Sequence, residues 1–125
     1  MRWSGKRHCA ALAVFVTAAA AAVGAALAAP ATGRHAARLC VTTGVSAPGC
    51  GAAELDWRSG GRARLRISDI VYTLHFRTSQ VDVVLKHGAM QIDAFTAIYE
   101  WQGETLSFVD ADKNVRYELR VDAGR

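Results

Sequence analysis

Little in these 125 residues could do covalent chemistry. There is no nucleophile motif, no glycine-rich loop that would cradle a phosphate and no zinc signature. Carboxylates are scattered along the chain, so no pair stands out as general acid and base. The chain is therefore read as a non-enzyme that needs no cofactor. It lacks an internal repeat, and it lacks a helix-period stripe that outcompetes its strand pattern. It also lacks a real excess of charge: 15 Lys and Arg stand against 11 Asp and Glu, but Arg2, Lys6 and Arg7 belong to a leader, which leaves 12 against 11. The high isoelectric point is thus largely the leader's, and a nucleic-acid role is not expected.

The leader is residues 1–28. A basic start is followed by an alanine-dominated apolar run, and Ala26-Leu27-Ala28 puts small residues where a signal peptidase cuts. A signal peptide is expected, with no membrane span after cleavage and a periplasmic or secreted domain. Together with the Ala- and Arg-rich composition, the compact leader points to a bacterial envelope. Residues 29–38 lack periodicity and read as a flexible N-terminal arm, leaving 39–125 as a single β-domain. Cys40 and Cys50 survive cleavage, and an even pair in an exported domain predicts a disulfide.

Alternation with period two dominates what remains. Tyr72, Leu74 and Phe76 alternate with Thr73, His75 and Arg77; Val81, Val83 and Leu85 follow after a short break; Met90, Ile92 and Ala94 follow after another. Two tight hairpins are implied. Pairing Arg77 with Gln80 sets Phe76 opposite Val81. Pairing Lys86 with Ala89 sets Leu85 opposite Met90 and Val81 opposite Ala94. Residues 39–45 and 53–57 read as strands around a loop at 46–52. The run 62–67 is another strand, with a sharp turn at Ser68-Asp69 where the phase flips. A second flip near Ala94-Phe95 puts Phe95, Ala97, Tyr99 and Trp101 on one face. Met90, Ala94, Ala97, Ile98 and Trp101 would also fit a helix, but β-favouring neighbours decide for strand. A hairpin turn at Gln102-Gly103, opposing Tyr99 to Leu106, and a last hairpin around residues 110–114 complete about eight short strands. The expected fold is an all-β antiparallel meander closed into a small barrel or a two-layer sandwich.

Candidate sites are few. Arg58, Arg62, Arg64 and Arg66 form a stripe that could grip an anionic envelope component or a protein partner, or could merely protect an edge strand. The expected register sets His75, Asp82 and Asp93 in one outward row, a possible metal set of one imidazole and two carboxylates. Asp110-Ala111-Asp112-Lys113-Asn114 has the spacing that opens a calcium loop, but lacks its glycine and closing glutamate, so it reads as a polar turn. Tyr99 and Trp101 are core by default, or interface anchors if the flip turns them out.

The run Trp101-Gln102-Gly103-Glu104-Thr105-Leu106, in an exported β-domain with a disulfide, resembles the periplasmic C-type lysozyme inhibitors over a few residues. The Ser- and Tyr-containing loop that such inhibitors insert into an enzyme cleft has no counterpart, and the chain is not assigned to that family. The resulting expectation is an exported, non-catalytic binding or inhibitor module. The alternative is a small metal- or ligand-carrying periplasmic domain, for which a pocket lined by Tyr72, Phe76 or Trp101 would speak.

Overall fold

The computed structural model describes residues 29–122, so the expected leader lies outside them. Eight antiparallel strands follow one another: β1 (Gly33–Thr43), β2 (Gly49–Arg58), β3 (Arg62–Ile67), β4 (Ile70–Phe76), β5 (Gln80–His87), β6 (Met90–Gln102), β7 (Thr105–Asp110) and β8 (Val115–Val121). Each pairs with its neighbours in sequence, and β8 returns to β1, closing a barrel. The described residues contain no helix.

Alternation explains the closure. Odd positions of β1, β2, β3 and β8 point inward, as do even positions of β4, and the switch of parity falls at the Ser68-Asp69 turn between Ile67 and Ile70. Ser68 takes φ 55 there, so the phase flip is a tight turn. Inside, Leu39, Leu55, Leu65, Leu74, Leu106 and Leu119 are at most 2 % exposed. Burying such side chains contributes about 1.5–3 kcal/mol each. Two aromatic clusters fill the remainder. Tyr72, Phe95, Phe108 and Tyr117 pack with centroids 5.1–6.3 Å apart. Trp57, Phe76, Tyr99 and Trp101 close the end that holds the β2–β3, β4–β5 and β6–β7 turns. Tyr99 and Trp101 are thus half-buried core residues, and the Tyr99 hydroxyl donates to the Arg77 carbonyl at 3.0 Å.

Three expectations need correction. The arm expected over 29–38 is largely strand: β1 begins at Gly33, with His35, Ala37 and Leu39 turned inward. Alanine at that inward position hides the alternation. Likewise the 46–52 loop shortens, because β2 starts at Gly49. In the third case β6 is shifted against β5. Phe76↔Val81 and Tyr72↔Leu85 pair as expected, but His87 faces Met90, and a bulge leaves Leu85 opposite Asp93 and Val81 opposite Ala97. Ile92 drops out of the ladder, and it and Met90 are 48 % and 65 % exposed. The bulge wins because it turns Phe95, Tyr99 and Trp101 inward, a larger apolar surface than Met90, Ile92 and Ala94 offer. Across the next turn Tyr99 faces Phe108, two residues beyond the expected Leu106.

Cys40 and Cys50 are direct cross-strand partners on the outer surface, bonded with Cα atoms 4.0 Å apart. Closing that hairpin covalently contributes about 2–3 kcal/mol by restricting the unfolded chain.

Gly61 is a test of the β2–β3 turn. Its φ is +73, its carbonyl accepts from the Phe76 N–H, and a Cβ there would stand 2.7 Å from the Phe76 carbonyl oxygen. Gly60, at φ +76, would meet nothing within 4 Å. Gly60→Ala should cost about 1–2 kcal/mol in urea unfolding, from the backbone conformation alone. Gly61→Ala should cost about 1–3 kcal/mol more; equal losses would contradict the close approach.

Candidate cationic face

The outer surface follows from the same register. Cross-strand rows run Arg58, Arg62, His75, Asp82, Thr96 and, one step along, Arg34, Asp56, Arg64, Thr73. A third runs Ala36, Glu54, Arg66, Val71, Lys86. The four expected arginines therefore share one face. Arg34 joins them, a member missed because 29–38 was read as an arm; its alternation with His35 and Ala37 was the available signal. A depression of about 100 Å³ lies among Arg34, Glu54, Asp56, Arg58, Arg64, Arg66 and Val71.

The carboxylates answer only part of this charge. Arg58 donates from Nε and Nη2 to the Asp56 Oδ2 at 3.1 and 3.0 Å. Glu54 stands loosely between Arg34 at 3.9 Å and Arg66 at 3.8 Å. Among the described residues, Arg62 and Arg64 have no carboxylate within 4.0 Å. Arg62 is moreover the direct partner of Arg58, and like charges so placed repel.

The expected metal row is not assembled. His75 does face Asp82, but the other neighbour of Asp82 is Thr96. The bulge sends Asp93 to the inner face, where Lys113 meets it at 2.8 Å. Asp82 is satisfied without a metal: the Thr96 hydroxyl donates to it at 2.7 Å and Arg77 at 2.8 Å. Among the described residues no group of three His, Cys, Asp or Glu is arranged to hold a metal ion. The 110–114 segment is the β7–β8 turn, with Asn114 at φ 56 and its carbonyl accepting from the Gly44 N–H.

A second depression, of about 510 Å³, lies on the outside between β6 and β7, lined by Gln80, Thr96, Ala97, Ile98, Val109 and Ala111. The β6–β7 ladder stops at Tyr99↔Phe108, and Ile98 is 73 % exposed. Nothing in the alternation announced it, because Ile98 and Val109 look like ordinary strand residues. No helix among the described residues is long and apolar enough to cross a membrane. No known protein family, curated protein or solved structure matches the chain.

Two carboxylates contribute to the acid limb of stability. The Thr96 hydrogen bond, then Arg77 and His75, hold Asp82 below its ordinary 3.8. The Lys113 hydrogen bond and the Ala94 N–H do the same for Asp93. Below 3.8 these two groups bind more protons in the unfolded chain than in the folded one, so their contribution to stability is complete above that value and is lost as pH drops through the lowered pKa values. Unfolding measured by urea should show this loss, and Asp82→Asn with Asp93→Asn should flatten it. At the other extreme, burial pushes the Tyr117 hydroxyl up to about 12 from 10.0, so stability falls as pH rises across that window. Tyr117→Phe should reduce this alkaline loss, leaving the part due to the Tyr72 phenol, whose pKa burial also raises; an unchanged profile would contradict the buried phenol.

Proposed function

We propose that this is an exported, non-catalytic binding module of the bacterial envelope, which takes an anionic partner on the cationic outer face of β2 and β3. One observation carries the reading. β3 is paired along its length with β2 on one side and β4 on the other, so its arginines have no free edge to protect. A like-charged cluster in mid-sheet costs stability, and an anion bound across it offsets that cost. Planar guanidiniums suit phosphate, sulfate or carboxylate. The Cys40–Cys50 disulfide supports an oxidising compartment, and the basic, alanine-rich leader supports export. The alternative, a domain that carries a small ligand, has the apolar depression beside Ile98 in its favour. Against it stands an interior filled by leucine and aromatic side chains.

Retention of the mature domain on immobilised heparin, measured over a salt series, tests the reading. Replacing Arg62, Arg64 and Arg66 with Ser should weaken binding and reduce the salt slope by about one unit per arginine. Thermal unfolding of the variant provides the folding control. Binding unchanged in a folded triple variant would remove the cationic face from the function.

A further inference from the structure

The two sides of β3 are not equivalent, and the difference specifies the shape of the anion. On the β2 side Arg66 and Arg64 face Glu54 and Asp56, of which Glu54 reaches Arg66 and Asp56 is taken by Arg58, while Arg62 faces Arg58 itself. On the β4 side their direct partners are His75, Thr73 and Val71, none of them a carboxylate. The carboxylates among the direct partners of the stripe therefore all lie toward β2, and the side toward β4 is open. Along the strand, alternate residues stand about 7 Å apart, so Arg62 to Arg66 covers about 13 Å in a straight line. Beyond Val71 the row continues to Lys86, which extends the cationic path at its far end.

We infer that the partner is a linear polyanion, a polymer of phosphate or sulfate esters lying lengthwise over the β3–β4 seam. Successive anionic groups meet Arg62, Arg64 and Arg66, and the Thr73 hydroxyl, level with Arg64, donates to the chain at the middle of the track. A single compact anion fits this layout poorly, because it would engage one arginine and leave its neighbours repelling each other. Glu54 and Asp56 act as resident counter-anions that mark the border of the track. The inference rests on the proposed role of the cationic face and names the class of ligand.

Calorimetric titration of the mature domain with probes of increasing length tests it. Pyrophosphate is compared with polyphosphate long enough to span about 13 Å, and a heparin disaccharide with longer heparin fragments. Affinity should rise steeply until the span from Arg62 to Arg66 is covered, by roughly a hundredfold, and then level off. Arg64→Ser, which interrupts the middle of the track, should abolish most of that gain. Arg38→Ser, on β1, should leave it intact. The better of the two long probes identifies sulfate or phosphate as the preferred anionic group. Long and short probes binding equally would overturn the linear track while leaving the cationic face in place. Failure of every probe would overturn both.

Discussion

The ladder between β1 and β8 is the constraint on which the rest depends. Ala37 to Thr43 pair with Val121 to Val115, and this joins the two ends of an eight-strand meander. A meander left open would expose two rows of unpaired backbone and half a core. Closure supplies one interior for every inward residue and makes each outward residue part of a continuous surface. The Cys40–Cys50 bridge lies on β1 itself, so the strand that closes the barrel is also the one held covalently to β2.

Closure also changes the meaning of the surface. On an open sheet, an arginine stripe is a common defence against edge-to-edge association. In mid-barrel that defence has no object, and the repulsion between Arg58 and Arg62 needs another reason. The carboxylates nearby are too few and, at Glu54, too distant to neutralise the group. Elsewhere individual carboxylates are answered: Asp82 has Arg77 and Thr96, and Asp93 has Lys113. Arg38 and Arg120 are also direct partners, across β1 and β8, but three successive outward arginines on one strand occur on β3, beside a barrel interior that is packed.

Much of the fold was legible in the sequence because large apolar residues alternate cleanly over 62–85, and turn residues separate them. That pattern gave the β4–β5 register residue by residue. It failed at β6, where both phases carry apolar side chains: Met90, Ile92 and Ala94 in one, Phe95, Ala97, Tyr99 and Trp101 in the other. The flip near Ala94-Phe95 signalled the irregularity but placed it two residues too late, since the strand leaves its ladder at Ile92. The same miss removed the His75, Asp82 and Asp93 row, since one inserted residue moves Asp93 to the opposite face. The arginine stripe was legible because it needed only the alternation of β3. Arg34 was not, because small inward residues such as Ala37 conceal the strand that carries it.

The central claim is that binding uses the arginines of a fully paired β3. Arginine side-chain N–H resonances, followed by NMR while heparin is added to the mature domain, test it most directly. The Nε–H signals of Arg62, Arg64 and Arg66 should shift first and furthest, with Arg116 and Arg120 on β8 little changed. Shifts centred on β8, or spread evenly over all arginines, would contradict it.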